Sequence, residues 1–286
     1  MVRRSMRSSP PDPELLALNS ATVREKWGLR EVIAGCVRHR FRGVSLWRDE
    51  LAQIGAKEAA KAAHGGGLTV TGLCGGGRFP ASDRRARQAA IDDTRRAIDD
   101  AATLEARCLV LEAGALPEDS KDLNGTREMV RDGIGEVLDH ARSAGVPLAI
   151  ESLHPMHCAR QGCVNTLAQA LDLCDVLDLG GASLGVAVDV HHVWWDPQLK
   201  AQIERAGEKR LLAFQISDWL PASRDMLADR GMMGDGVIDL PLLRSWMEEA
   251  GYRGFHEVEV LSSGNWWRRD PNEVLATCRV RHQTAC

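Results

Sequence analysis

The stretch Met129–Ser152, MVRDGIGEVLDHARSAGVPLAIES, joins two patterns. Val130, Ile134, Val137, Leu138 and Ala141 recur at helical spacing, so residues 129–145 are predicted to form a helix with one apolar face. Gly145 fits a left-handed C-cap, and Pro147-Leu-Ala-Ile then reads as a short buried strand that stops at Glu151. Working outward, the same alternation recurs along the chain. Strands are predicted at 15–20, 43–47, 68–74, 108–114, 147–152, 185–190, 211–217 and 255–261. Most of the stretches between them read as helices, for example 89–106, and residues 271–282 supply one more after the last strand. Gly65–Gly67 and Gly251 mark two further helix stops.

Repeated βα units form either an open doubly wound sheet or a closed barrel. The first βα turn, LNSATVREKW, has no GxGxxG, which removes the main sign of the open sheet. The expected fold is therefore α/β, a (β/α)8 TIM barrel formed as one domain over residues 14–286. The Arg-, Ser- and Pro-rich residues 1–13 are expected to be a disordered N-terminal tail. With 44% hydrophobic and 27% charged residues, the 286-residue chain can bury one sizeable core. No apolar run approaches the ~20 residues of a membrane span. Thirty-six basic residues against 40 acidic ones give a formal charge of -4, which disfavours a nucleic-acid partner. The eight Cys include no CxxC pair, and the N-terminus lacks an apolar h-region. Reduced thiols and a cytoplasmic location are expected.

In such a barrel the chemistry sits where strands end. Four consecutive strands end on an oxygen donor, namely Glu151, Asp189, Gln215 and Glu259. Carboxylates at an apolar barrel mouth are costly unless they are paired or bound to a cation. Three converging on one point imply a divalent metal, and an all-oxygen set favours Mn²⁺ or Mg²⁺, with Co²⁺ or Zn²⁺ as alternatives. The rival arrangement is a salt-bridge network with Arg48, Arg78 or Arg230. Glu257 shares a strand face with Glu259 and is a fallback ligand. His154 and His192 stand at strand ends as candidate substrate contacts, whereas alternation turns His191 away. His154, His157, Cys158 and Cys163 form a weaker zinc candidate with irregular spacing. Gly75–Gly77 before Arg78 reads either as an anion nest or as a flexible loop. Eight Trp stand out against one Tyr and four Phe. Six of them (47, 194, 195, 219, 266 and 267) follow strands, which suggests a flat rim that stacks on a sugar ring, with Trp47, Trp195 and Trp219 as substrate contacts. Trp27 and Trp246 read as core residues.

Three segments carry a family likeness: Glu151-Ser-Leu-His154-Pro, Asp189-Val-His-His192, and the run from Asp229-Arg230-Gly through Gly251-Tyr-Arg-Gly254 to Glu259. From about residue 15 to 280 the chain resembles the sugar phosphate isomerase/epimerase superfamily of xylose isomerase-like TIM barrels, which includes ketose 3-epimerases, inosose dehydratase and an endonuclease IV branch. The resemblance implies Glu151, Asp189, Gln215 and Glu259 as metal ligands, Glu259 being placed eight residues after Gly251. It implies His192 and Arg230 as substrate contacts, and association into homo-oligomers. Many ketose epimerases carry His where this chain has Gln215. The implied activity is divalent-metal-dependent sugar or sugar phosphate isomerisation or epimerisation. Glu151 and Glu259 would move the proton through a metal-stabilised enediolate on a sugar or polyol. The alternatives are a keto-inositol or keto-sugar dehydratase and, more remotely, an endonuclease IV-like phosphodiesterase. The latter needs a basic face and many more His ligands than nine His can provide.

Overall fold

The computed structural model describes residues 9–118 and 120–286. Eight parallel strands close into a barrel in chain order: β1 Leu16–Asn19, β2 Gly43–Trp47, β3 Thr69–Gly77, β4 Leu109–Glu112, β5 Leu148–Glu151, β6 Leu184–Asp189, β7 Leu211–Ile216 and β8 His256–Val258. Around them run α1 Leu29–Arg38, the single turn α2 Arg48–Leu51, α3 Ala56–Gly65, α4 Arg84–Thr103, α5 Leu123–Ala144, α6 Leu167–Leu177, the single turn α7 Val190–Val193, α8 Leu199–Arg210, α9 Leu240–Glu249 and α10 Pro271–Ala285. Each predicted strand is present, as is the eightfold closure. Among the described residues no helix is long and apolar enough to cross a membrane.

Helix α4 starts earlier than the apolar pattern predicts because Asp83 caps it, accepting from the Ala86 amide. Asp122 does the same for α5, accepting from Gly125 N. Gly145 ends α5 in the left-handed conformation, as expected. The tail docks sooner than expected. Pro11 is buried, its carbonyl accepts from Gln283 Nε2, and the Ser9 carbonyl accepts from Arg244, so residues 9–13 already pack on the barrel. Residues 1–8 of the predicted tail lie outside the described residues.

Period-two alternation explains how the strands build both core and site. Outward side chains such as Ile150, Val188, Phe214 and Val258 join the main apolar layer beneath the helices. Inward positions are small lower down and polar at the top. Ala149 precedes Glu151 by two residues, Ala187 precedes Asp189, and Ala213 precedes Gln215. The small residues leave room in the barrel, and the next inward residue meets the mouth.

The glycine run at 75–77 is neither nest nor loop. It extends β3, with Gly76 opposite Leu111 and Gly77 opposite Glu112. The amides that would have held an anion are occupied: Gly77 N donates to Thr94 Oγ1, and Arg78 N donates to the Glu112 carbonyl. Gly77 has φ +96°, and a Cβ there would overlap that same carbonyl oxygen. Gly77→Ala is expected to cost about 1–3 kcal/mol of strain and to loosen Arg78 and Glu112 together. A urea midpoint unchanged from wild type would contradict this.

Candidate functional site

The register of the barrel sets the depth of each strand-end residue. Glu112 pairs with Glu151 across β4 and β5, while Asp189 pairs with Gln215 and Gln215 with Glu257 across β6, β7 and β8. Glu259 stands one inward position above Glu257. Glu151, Asp189, Gln215 and Glu259 are all buried. The four strand-end donors therefore meet at one end of the barrel.

Arg230 enters this group from the β7–α9 loop. A two-way backbone bridge between Asp218 and Gly231, and the Arg230 N–H donated to Leu261 O, deliver it there. The buried Asp218 carboxylate organises the loop by accepting from the amides of Trp219, Gly234, Gly236 and Ile238. Arg230 is only 3% exposed. Its Nη1 donates to Asp189 Oδ2 at 2.9 Å and to Glu259 Oε2 at 3.2 Å. Of the three arginines weighed as ion-pair partners, it alone reaches the predicted ligands. Arg48 pairs with Asp93, and Arg78 binds Glu112 through two N–H groups.

One guanidinium among three carboxylates leaves excess negative charge. Burial pushes Glu151 well above the usual carboxylate range, reinforced by Glu259 and Asp189. Burial likewise raises Glu259 to about 8, with Arg230 pulling the other way. His192 is held well below its ordinary value, first by burial and then by Arg230, so its imidazole is neutral.

Among the described residues one group of acidic or histidine side chains has its ligand atoms within 4.8 Å of one another: Glu151, Asp189 and His192. The hydrogen bonds around His192 bear on its role. Nδ1 faces the backbone N–H of His154 at 3.2 Å and Nε2 faces the Arg230 guanidinium, so the neutral ring can accept from only one of these two donors. Nε2 lies 3.6 Å from Asp189 Oδ2, 3.9 Å from Glu151 Oε1 and 3.2 Å from Arg230 Nη2. A metal-bound imidazole normally donates its other N–H. Here Nδ1 faces an N–H donor, which disfavours ligation through Nε2. Gln215 contrasts with it: its buried Oε1 has no hydrogen-bond partner.

Above this floor lies a cavity of about 480 Å³ whose walls include Trp47, Arg78, Glu112, Glu151, His192 and Arg230. Arg24 and Arg160 reach the same cavity. Glu112, Arg24, Arg160 and Asp218 were missed by the sequence reading. Glu112 could have been found by the rule that found Glu151, since it too ends an apolar strand.

Three expected substrate contacts stand elsewhere. His154, Trp195 and Trp219 are not in the cavity wall. Trp219 stacks on His154 at 5.0 Å, and Trp195 meets it edge-on at 5.7 Å. The helical turn α7 directly after Asp189 carries Trp195 sideways, where its Nε1 donates to His192 O. The predicted rim of tryptophans thus contributes one wall residue, Trp47, with the others packed behind. Trp266 is buried with Nε1 on Asp235, and Trp267 donates to Ala21 O. His191 is buried against Trp219 and lies off the cavity wall, as alternation predicted. His154, His157, Cys158 and Cys163 do not assemble as a ligand cluster, and all eight Cys are unpaired. Glu257 has its oxygens taken by Asn19 Nδ2 at 2.8 Å and Thr71 Oγ1 at 3.0 Å, which removes it as a fallback ligand.

Known proteins share this fold. No curated protein sequence matches the chain. A solved structure of a Sinorhizobium meliloti 1021 protein is 53% identical, with a TM-score of 0.93, covering 96% of this chain and 99% of that one. An IolI protein with a bound zinc atom is 20% identical at TM-score 0.78, covering 93% and 95%. The 3-keto-D-glucoside 4-epimerase YcjR from E. coli is 20% identical at TM-score 0.72, covering 90% and 94%. These last two share the fold. The family model described as xylose isomerase-like TIM barrel matches residues 33–278. With that span matched and the barrel closed as its description requires, the chain belongs to the xylose isomerase-like TIM barrel family.

Proposed function

We propose that this protein is a divalent-metal-dependent sugar or sugar phosphate isomerase or epimerase, with the ion held by Glu151, Asp189, Gln215 and Glu259. The observation that carries the reading is the convergence of three buried carboxylates and the unpartnered Gln215 Oε1 under one cavity. The donor set is hard and all-oxygen, which suits Mn²⁺ best. The zinc atom in the IolI structure supports a divalent ion in this fold without fixing its identity here.

A bound ion would supply Lewis-acid polarisation of a substrate carbonyl and its neighbouring hydroxyl. The chain's own groups do the rest. Burial raises the proton affinity of both Glu151 and Glu259, which suits them to taking and returning a proton. His192 and Arg230 both line the cavity, so the imidazole and the remaining guanidinium N–H groups can contact the same substrate. Trp47 presents an apolar wall, its indole N–H tied to Asn19 Oδ1 at 2.8 Å. The YcjR epimerase supports sugar-like substrates as the first class to assay.

Glu151→Gln is expected to lower turnover by about 10²–10⁴-fold while preserving the fold. The assay is solvent-deuterium incorporation into a panel of ketoses followed by NMR, with Mn²⁺ present. Exchange at the wild-type rate in the variant, or no exchange in the wild type, would refute the proposal. Loss of water to give an enone would move it to the dehydratase reading.

A further inference from the structure

The open end of the cavity carries charges that the chemistry at its floor does not use. Its wall includes Arg24, Arg78 and Arg160 besides the buried Arg230. Arg230 is engaged by Asp189 and Glu259. Arg24 is held by Asp49 and Glu50, and its guanidinium lies over the Trp47 ring, 5.5 Å from the centroid. Arg78 and Arg160 differ from these, and both are exposed. Arg78 gives Nε and Nη2 to a single oxygen, Glu112 Oε2, so Nη1 has no protein partner among the described residues. The Arg160 guanidinium stands in the cavity wall without a hydrogen bond or ion pair to any described residue.

The backbone brings these two arginines together. Arg78 adopts φ +58°, a left-handed conformation that is strained for a residue with a side chain and persists only where its surroundings impose it. It is held from two sides. Its N–H donates to the Glu112 carbonyl at 2.7 Å, and Gly114 packs so closely that a Cβ there would stand 2.8 Å from Arg78 Cα. Gly114 in turn bridges Gly162 and accepts from Cys163 N at 2.9 Å, while Arg160 N donates to His157 O at 3.0 Å. The loops after β3, β4 and β5 are thus pinned side by side, and they set Arg78 and Arg160 in one stretch of cavity wall.

We propose that Arg78 and Arg160 bind an anionic group, a carboxylate or a phosphate, at the end of the substrate remote from its reacting carbonyl. The inference rests on the sugar chemistry proposed above and narrows its substrate class to acidic sugars. Charge sets the orientation. Glu151 and Glu259 at the buried end repel an anion. At the open end Arg78 offsets Glu112, and Arg160 adds a positive charge that no described carboxylate meets. A guanidinium fork matches the pair of oxygens that carboxylate and phosphate both present. The backbone amides beside the glycine run cannot take this role, since Gly77 N and Arg78 N are already bonded.

The test reads binding with polyols that cannot be enolised: calorimetric titration of the protein as purified with D-glucitol, D-glucitol 6-phosphate and D-gluconate. At least one anionic probe is expected to bind about 10–100-fold more tightly than glucitol, and the tighter of the two distinguishes phosphate from carboxylate. Arg160→Gln should lower that ratio about tenfold, and adding Arg78→Gln should abolish it. Equal affinities for the three probes, or a ratio that survives in the double variant, overturns the inference. Should the double variant fail to fold, Arg160→Gln decides alone, because no described residue depends on its guanidinium, and an unchanged ratio overturns the inference. Equal affinities together with deuterium exchange into neutral ketoses leave the isomerase reading standing. An anion preference that the arginine variants remove, without exchange into any ketose, acidic or phosphorylated ones included, keeps the anion site and removes that reading.

Discussion

Arg230→Met should destabilise the metal-free protein by about 3–5 kcal/mol, the cost of stripping the partner from a buried ion pair. Arg230 is the cation that touches Asp189 and Glu259, and Glu151 feels its charge as well. Methionine fills much of the volume but leaves three carboxylates facing one another below the cavity. They would respond by taking up protons, so the loss should grow as pH rises. A divalent ion should restore stability, because it binds the folded state alone. At a hundred times its dissociation constant it returns about 2.7 kcal/mol. Arg48→Met serves as the control. Its partners Asp93 and Asp100 are partly exposed, so at most about 1 kcal/mol is expected there. Urea denaturation of both variants, with and without Mn²⁺, measures the difference. If metal-free Arg230→Met is as stable as the wild type, the carboxylates are not the strained cluster described above.

That cluster was partly legible from residues alone. The eight strands were, because apolar runs of β length alternate with helical periodicity and each ends at a recognisable stop such as Gly145 or Gly251. The placement of Glu151, Asp189 and Gln215 at the mouth followed from the polar residue after each apolar run, since the barrel exposes that end of every strand. Depth and direction were not legible. The same rule that found Asp189 also selected His154 and Trp195, yet a single helical turn after β6 carries Trp195 behind His192. Arg230 was visible as a charged residue in a glycine-rich loop. Its place between Asp189 and Glu259 depends on the Asp218 hydrogen bonds and the return of the chain along Leu261, contacts between residues far apart in sequence. Glu257 read as a spare ligand because alternation puts it on the face of Glu259. Only its partners Asn19 and Thr71, from the opposite end of the chain, show that it faces down into the barrel.

The stability of the metal-free protein is expected to have two opposite pH slopes with a flat region between. Burial lowers His191 to about 2, His256 to about 3 and His282 to about 4, and holds His192 well below 6.5. Below pH 6.5 the unfolded chain protonates these rings and the native state does not, so their contribution is lost as pH falls. Glu151 and Glu259 act in the other sense, with Glu259 raised from 4.5 to about 8. The native state holds protons that the unfolded chain releases above 4.5, so stability is lost as pH rises toward 8. Between 4.5 and 6.5 both sets act, and the four histidines are largely offset once Glu50 and Glu257, also raised by burial, are counted with Glu151 and Glu259. Below 4.5 nothing opposes the histidines, and the lowered carboxyls of Asp93 and Asp178 act in the same sense; about three protons from the rings alone bring the slope to ~4 kcal/mol per pH unit. Above 6.5 the carboxylates act alone, and stability should decline more gently. Mn²⁺ should flatten this alkaline limb, because an ion at the carboxylates removes the reason to hold protons, and it should leave the acid limb almost unchanged, because the four rings are already neutral in the native state and His256 and His282 pair at 2.9 Å on the outer, α10 side of β8. Urea midpoints from pH 3.5 to 8 with and without Mn²⁺ separate the two limbs. An alkaline limb that Mn²⁺ does not alter would place the proton-holding carboxylates away from the cation and detach Glu151 and Glu259 from the proposed site.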